Sequence, residues 1–182
     1  METAPRTLVS AALDDPEAFA AIVDRHKAMV FSVGYHFFQN RSLAEDLAQE
    51  VFLELYRRLD RIESDTHLAF WLRRAISNQC IDHARWVRSH NNVPLDAAPL
   101  LRTDPEPADP FLGEALRRRV EALPEKKRLV VILRFQEELE LAEIAQILKM
   151  PLNTVKSTLH RTLALLKEQL LQAGVSALEA AH

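Results

Sequence analysis

The sequence predicts an all-α protein made of two small helical domains that a flexible, proline-rich linker joins. Glycine occurs only 3 times in 182 residues, which argues against a β-sandwich or barrel with many tight turns. Apolar residues recur at helical spacing on both sides of residues 91–112. That segment holds five of the nine prolines, and proline breaks helices because it lacks a backbone N–H.

The expected organisation is a first domain at residues 1–90, the linker at 91–112, a second domain at 113–172 and a C-terminal tail at 173–182. A chain of this length fits one ordinary domain or two small ones. A proline-rich linker of this length could reach about 70 Å when extended. The two domains could therefore act at well-separated places.

Composition excludes several classes of protein. A single cysteine, Cys80, rules out an intrachain disulfide and a thiolate metal cluster, and it fits a reducing cytoplasm. No apolar run approaches the ~20 residues of a membrane helix, so we expect no membrane insertion. The 7 histidines are scattered, and no zinc-protease pattern, P-loop or glycine-rich nucleotide fingerprint occurs. We therefore expect neither an enzyme nor a metal or cofactor.

Three helices are expected in the first domain. Asp15 followed by Pro16 is typical of a helix start, and this helix should run to about Phe38. A capping box that begins at Ser42 should open the second helix, which ends near Leu59. A loop at about 60–67 then precedes a third helix at about 68–89.

The second helix has an apolar face and an unusual opposite face. Its core stripe contains Ala44, Ala48, Val51, Leu55 and Leu59. The opposite face contains Asp46, Gln49, Glu50 and Leu53, with Phe52 and Tyr56 beside them. Apolar side chains inside an acidic patch indicate a protein-docking surface. The alternative is that another helix of the chain packs there.

The third helix carries a stripe suited to nucleic acid. Its inward face contains Ala69, Leu72, Ile76, Cys80 and Val87, and its other side contains Trp71, Arg74, Asn78, Arg85 and Ser89. Arginine binds phosphates, whereas asparagine and an aromatic ring contact bases. The alternative is that Trp71 is a core aromatic with solvated arginines around it.

The second domain ends in a predicted helix-turn-helix. Helices are expected near 113–122, 125–136, 141–148 and 152–170, with a tight turn at Lys149–Pro151 between the last two. The last helix should bury Leu152, Val155, Leu159, Leu163 and Leu166 and expose Asn153, Lys156, Ser157, His160, Arg161 and Lys167. Residues 149–167 contain no acidic side chain, which is typical of a recognition helix.

Taken in order, these segments resemble the extracytoplasmic-function group of bacterial RNA polymerase sigma factors, over about residues 16–170. The resemblance is carried by residues 44–52, by 71–78 with Asp82 and Arg85, by Leu123–Pro124, and by the helix-turn-helix. Members of that group consist of two helical domains, region 2 and region 4, joined by a flexible linker. Each segment alone is weakly specific, whereas four in family order are hard to obtain by chance.

The resemblance implies three sets of contact residues. One set would dock on the clamp helices of the largest subunit of core RNA polymerase: Asp46, Gln49, Glu50, Leu53 and Tyr56. A second would recognise the −10 promoter element and help to melt it: Ile62, Trp71, Arg74, Asn78 and Arg85. A third would contact the −35 element: Arg134, Lys156, Ser157, His160 and Arg161.

The resemblance also implies regulation. A cognate anti-sigma factor commonly holds members of this group inactive, so we expect one here, together with a compact inhibited arrangement of the two domains. The chain would act in the cytoplasm, attached to the membrane only through such a partner. Core RNA polymerase and promoter DNA are the other expected partners.

Several positions depart from the family pattern. Lys149 stands where glycine is usual, Pro151 where serine is common, and Asn153 where another glycine is common. Glu140 replaces a capping serine or threonine, and Thr158 replaces a frequent arginine. The resemblance therefore does not fix the −35 sequence preference. The loop at 61–68 lacks the usual glycine and aromatic, which leaves the −10 base preference open as well.

Two other readings stay open at this point. A sigma-like adaptor would sequester an anti-sigma factor without binding DNA, but such adaptors usually lose the basic recognition face that this chain retains. A plain helix-turn-helix regulator would explain residues 113–170 and leave the patterns at 46–52 and 71–78 without a role.

Overall fold

A computed structural model describes residues 8–13, 15–91 and 112–179 of the chain. Within these ranges every regular element is helical, so the predicted all-α fold is confirmed. The helices are α1 (Leu8–Ala12), α2 (Pro16–Phe38), α3 (Arg41–Arg57), α4 (Asp65–Asn91), α5 (Leu112–Glu121), α6 (Glu125–Phe135), α7 (Leu141–Ile147) and α8 (Leu152–Glu179), with a 3₁₀ turn at Leu59–Arg61. The predicted linker lies outside the described residues except for its two ends, which are helical.

Local hydrogen bonds set where the helices begin. The Asp15 carboxylate accepts a bond of 2.9 Å from the Glu17 N–H, so the predicted start of α2 is confirmed. The prediction that a capping box at Ser42 opens α3 is wrong, because the Asn40 side chain caps this helix by accepting from the Leu43 N–H at 3.1 Å. Helix α4 begins before residue 68, since the Ser64 hydroxyl accepts from the His67 N–H at 3.1 Å.

The N-terminal half consists of α1–α4. Helices α2, α3 and α4 pack against one another, and α1 packs on α2 and α4. The sequence patterns did not predict α1, which places Val9 and Ala12 in the core. Residues that the periodicity assigned to the core, such as Leu55, Leu72 and Ile76, are fully buried. The apolar stripes therefore determine how these helices face each other.

The C-terminal half consists of α5–α8. Helix α8 packs against α5, α6 and α7, and Val155 and Leu166 are buried as predicted. The prediction that Leu152 and Leu163 face inward is wrong, because these side chains are 38% and 39% exposed. A helix that contacts shorter helices on only part of its length leaves the rest of its apolar stripe uncovered. Helix α8 also continues to Glu179, through most of the predicted tail, whereas residues 180–182 lie outside the described ranges.

The two halves contact each other directly. Helix α6 packs against α2 and α4, and α7 packs against α4. Leu129 and Leu133 of α6 join the same buried cluster as Phe37 of α2 and Ile76 of α4. The apolar core is therefore continuous across both halves in this arrangement. Among the residues that the structure describes, no helix combines the length and apolar character needed to cross a membrane.

Candidate functional site: one docking face and two basic faces

The outward face of α3 exposes apolar side chains among acids. Leu53 is 57% exposed and Tyr56 is 64% exposed, while Asp46, Gln49 and Glu50 also face solvent. The opposite face of the helix, including Val51 and Leu55, is fully buried in the N-terminal half. No helix of the described chain covers Leu53, so the alternative of an internal packing partner does not hold for the described residues. The face is free to receive another protein.

An open apolar groove of about 840 Å³ lies beside this face, between α2 and α3. Its α3 wall includes Phe52, Leu53 and Tyr56, and its α2 wall includes Phe19 and Phe31. The ring of Phe19 meets that of Tyr56 edge-on at 5.1 Å, which joins the two walls at one end. The sequence analysis missed the α2 wall. Its signal was present, because residues 19, 23, 27 and 31 recur every four positions and so share one helix face.

A more polar groove of about 450 Å³ runs along α4 and receives residues of α3. It brings together three of the predicted −10 residues, Trp71, Arg74 and Asn78. Asn78 is exposed, whereas Trp71 is half-buried against the core, so its ring serves both packing and the groove. Arg85 lies exposed farther along the helix, 3.9 Å from Asp82.

Ile62, the fifth residue of that set, is placed differently. Its side chain is only 7% exposed and packs in the core cluster, because the 3₁₀ turn at Leu59–Arg61 folds the segment back onto the helices. The resemblance assigns Ile62 to the −10 contacts, and that assignment stays a prediction for a side chain that the structure buries. This buried aliphatic side chain shapes the loop that precedes α4.

One exposed aromatic residue on α4 escaped the sequence analysis. Trp86 is 56% exposed, with its ring 4.6 Å from that of His90 and 5.9 Å from that of His83. The His83 ring in turn meets the buried Phe38 edge-on at 5.3 Å. A helical wheel puts Trp86 about 60° from Trp71, so the sequence contained a signal for its exposure.

The outward face of α8 is basic and accessible. Lys156, Ser157, His160 and Arg161 are all exposed, which places the four helix residues of the predicted −35 set on one surface. The ion pairs found in the described ranges include neither Lys156 nor Arg161. Two cations without an internal carboxylate are available for phosphates.

Arg134, the remaining member of that set, supports the helix-turn-helix from within. Its guanidinium donates to the Leu139 carbonyl at 2.9 Å and lies 3.4 Å from the Glu140 carboxylate. Glu140 precedes α7, and its backbone N–H donates to the Glu143 carboxylate at 2.9 Å. A glutamate can therefore occupy the N-cap of α7, where the resemblance expects serine or threonine. The side chain of Arg134 therefore orders the loop before α7 rather than standing free.

The turn of the helix-turn-helix contains a left-handed residue. Lys149 has φ of 50°, a backbone conformation that glycine adopts most easily. This explains why the resemblance expects glycine at this position. A lysine accepts the conformation at a modest steric cost.

Three contacts link the halves beside the apolar core. Arg128 of α6 is only 8% exposed and donates to the carbonyl of Phe37 at 2.9 Å, with its guanidinium 4.6 Å from the centre of the Phe37 ring. Arg73 of α4 lies 3.5 Å from Glu137, and Arg88 of α4 pairs with Glu125. Desolvation lowers the pKa of Arg128 to about 10, so its guanidinium stays charged at neutral pH. Burial raises the pKa of Glu137, with Arg73 opposing that shift.

In the part of the chain that the structure describes, the remaining titratable groups do not gather into a metal site. Within these ranges no three residues among His, Cys, Asp and Glu come together as metal ligands. Burial raises the pKa of the Cys80 thiol well above its usual range, and the side chain is fully enclosed. Such a thiol is neither a nucleophile nor a ready redox sensor.

Comparisons with known proteins match both halves. The family model for Sigma-70 region 2 matches residues 22–89, and the model for Sigma-70, region 4 matches residues 113–166. The ECF RNA polymerase sigma factor SigW of Bacillus subtilis is 31% identical over 169 residues, which cover 86% of this chain and 90% of SigW. The RNA polymerase sigma-E factor of Streptomyces coelicolor is 35% identical over 135 residues, covering 74% of this chain and 75% of that protein. The match to SigE of Mycolicibacterium smegmatis, 31% identical, covers 77% of this chain and only 56% of that protein.

Solved structures share the fold. CnrH in complex with the cytosolic domain of CnrY superposes with a TM-score of 0.68 at 22% identity, covering 91% of this chain and 96% of CnrH. The sigma factor RpoE of Bartonella quintana, solved with the anti-sigma factor NepR, gives a TM-score of 0.65 at 19% identity and covers 85% of this chain and 97% of RpoE. At these identities the likeness concerns the fold.

Proposed function

Because the chain belongs to the family of ECF RNA polymerase sigma factors, we propose that its three exposed faces divide the work of promoter-specific initiation. Members of this family are transcription initiation factors without catalytic activity, and this chain works in the same way. The α3 face and its groove dock on the clamp helices of core RNA polymerase. The α4 groove contacts the −10 element, and the basic face of α8 contacts the −35 element.

The observation that carries this proposal is the exposure of Leu53 and Tyr56 on the acidic face of α3. A helix-turn-helix regulator needs a DNA face but no apolar docking surface on a separate domain. Docked interfaces place apolar side chains at the centre and polar ones at the rim, which is the arrangement on α3. The docking set is therefore Asp46, Gln49, Glu50, Leu53 and Tyr56, with Phe19 added from α2.

The DNA contacts follow the chemistry of each groove. On α4, Trp71 offers a ring for stacking and Asn78 a side-chain amide for a base edge, while Arg74 and Arg85 bind phosphates. On α8, Lys156, Ser157, His160 and Arg161 reach the major groove. Arg134 acts on that face indirectly, through the loop before α7.

Control by an anti-sigma factor is part of the same proposal. Two chains of this fold were solved with such partners or partner domains, the cytosolic domain of CnrY and the anti-sigma factor NepR. The chain acts in the cytoplasm and reaches the membrane only through a partner of that kind. The sigma-like adaptor remains the second candidate, since it would use the same faces without initiating transcription.

Run-off transcription with purified core polymerase tests this function, with a DNA fragment from upstream of the protein's own coding sequence. We expect a discrete transcript that depends on adding the chain. Leu53→Asp should lower core-polymerase affinity by about 30-fold or more, as for an interface hot spot, without changing the melting temperature. The control is Leu13→Asp, which changes a similarly exposed leucine outside the α3 face. A chain that never binds core polymerase would favour the adaptor or the plain regulator.

A further inference from the structure

Two arginines of α4 are neutralised by carboxylates from the C-terminal half. Arg88 pairs with Glu125 at the start of α6, and Arg73 lies 3.5 Å from Glu137 after α6. These side chains are largely covered, at 36% and 18% exposed for the first pair and 25% and 8% for the second. Ion pairs elsewhere, such as Arg25–Asp65 and Arg58–Glu54, have at least one side chain more than half exposed. Solvent therefore screens the two pairs across the halves less than those exposed pairs.

Arg88 belongs to the helix that carries the proposed −10 contacts. It follows Arg85 by three residues, and side chains three apart are neighbours on a helix surface. Arg85 is exposed, and the ion pair described for it is with Asp82 on the same helix, at 3.9 Å. The difference between these neighbouring arginines is that the C-terminal half supplies a carboxylate to Arg88.

A guanidinium binds carboxylate and phosphate oxygens through the same planar set of N–H donors. Glu125 and a DNA phosphate therefore compete for the N–H donors of Arg88. Moving α6 away from α4 breaks the pair, because Glu125 is the first residue of α6. DNA binding at Arg88 and contact between the halves are then linked.

We propose that Arg88 is a promoter-phosphate-binding residue and that Glu125 occupies it, as an internal substitute for the phosphate, while the halves are in contact. This inference rests on the proposed function, in which α4 binds promoter DNA. The Arg73–Glu137 pair and the Arg128–Phe37 contact hold α6 and its flanking loop against the N-terminal half. DNA that reaches α4 competes with Glu125 and favours separation of the halves.

The test measures binding of the full chain to a fluorescein-labelled duplex of about 25 base pairs and mixed sequence, by anisotropy over a series of salt concentrations. Such a duplex suffices because phosphate binding is independent of sequence. Glu125→Gln should raise affinity by up to about tenfold at ~50 mM salt and steepen the salt slope by about 0.9, as for one added phosphate contact. X-ray scattering of the same variant should show a larger radius of gyration.

Two variants separate this mechanism from a change in net charge. Glu138→Gln removes one negative charge nearby, at an exposed residue that forms no ion pair in the described structure, and should give a much smaller gain. Adding Arg88→Ala to Glu125→Gln should abolish the gain and return the salt slope to its original value. Circular dichroism of each variant checks that the helices remain folded.

The inference is overturned if Glu125→Gln binds no tighter than Glu138→Gln, or if the gain persists without Arg88. Absence of DNA binding by all variants at the lowest salt also overturns it. Failure of the proposed function has a different signature, because the wild-type chain would then give no run-off transcript with core polymerase. If the wild-type chain gives a transcript but Glu125→Gln does not raise DNA affinity, only the inference fails. If Glu125→Gln raises DNA affinity but the wild-type chain gives no transcript, the proposed function fails.

Discussion

The two halves of the chain differ in where their helices find apolar partners. In the N-terminal half, α2, α3 and α4 bury one another, and Phe37, Leu55 and Leu72 are fully enclosed. In the C-terminal half, the separate cluster of buried residues contains only Leu123, Val131 and Leu166. Most buried side chains of α6 and α7 instead join the cluster of the N-terminal half. The C-terminal half thus gains part of its apolar burial from its neighbour and part from its own helices.

This difference shows how a DNA-binding half can be held against its neighbour and still separate from it. A helix bundle with a small core of its own gains stability by docking and loses part of it on separation. Polar groups at the contact, such as Arg128 and Glu137, make separation easier than a purely apolar joint would. We expect the N-terminal half to be the stable platform and the C-terminal half the part that moves.

The largest effect should come from the N-terminal core. Leu72→Ala removes a fully buried side chain of α4 and should lower the free energy of unfolding by about 2–5 kcal/mol. Urea unfolding followed by tryptophan fluorescence reports this half, because Trp71 and Trp86 both lie on α4. Leu53→Ala on the exposed face of α3 is the control and should change stability little. Equal losses in the two variants would contradict the assignment of core and docking faces.

Substitutions on the basic face of α8 should weaken DNA binding without lowering the stability of either half. Lys156→Ala with Arg161→Ala should lower the salt slope of promoter binding by about 1.8 units, because two phosphate contacts are lost. Thermal unfolding should be unchanged, since both side chains face solvent. The same pair of changes at Lys126 and Lys127, two exposed lysines of α6, is the control. Normal transcription by the α8 double variant at raised salt would rule out this face as a DNA contact.

The joint between the halves should respond to Arg128. Arg128→Ala leaves the carbonyls of Phe37, Glu121 and Leu123 without this donor and should cost about 1–3 kcal/mol. We expect the C-terminal half to unfold first, so that circular dichroism and tryptophan fluorescence no longer give the same transition. Lys127→Ala, a neighbouring exposed cation, should keep the two transitions coincident. If Arg128→Ala unfolds in one step at the original midpoint, Arg128 does not stabilise the contact between the halves.

The smallest effect concerns Cys80. Its thiol is fully buried and its pKa is raised by burial, so a thiol reagent such as dithionitrobenzoate should not react with the native chain at pH 8. Reaction should begin only when denaturant unfolds the N-terminal half. Rapid labelling of native protein would show that this half opens more readily than its packing indicates.

Part of the candidate site could be predicted because helical periodicity reports which side of a helix faces a core. The exposure of Leu53, Asn78 and Lys156 followed from that pattern alone. Helix α1 and the cap at Asn40 were not predicted, since a short helix has little periodicity and several polar residues at 40–42 compete for the cap. Boundaries depend on single hydrogen bonds, and the apolar pattern does not carry that information.

Three placements that a helical wheel does not predict, at Ile62, Leu163 and Arg134, have a common origin. Each depends on what another segment covers: the 3₁₀ turn encloses Ile62, the short helices leave Leu163 uncovered, and the loop before α7 engages Arg134. A helical wheel describes one element and contains no information about the reach of its neighbours. Arg128 shows the same limit, because it follows the exposed Lys126 and Lys127 in the sequence and yet is buried.

The sequence by itself determined the helices, their faces and the order of the docking and DNA-binding segments, because spacing along one chain fixes which side chains share a surface. Only the tertiary structure decided which charges remain free to act. Arg85 stays exposed, while Arg88, one turn away, meets Glu125 from a segment far along the chain. The physical reason is that an ion pair of this kind depends on the packing of α6 against α4, a contact between distant segments that no local pattern encodes.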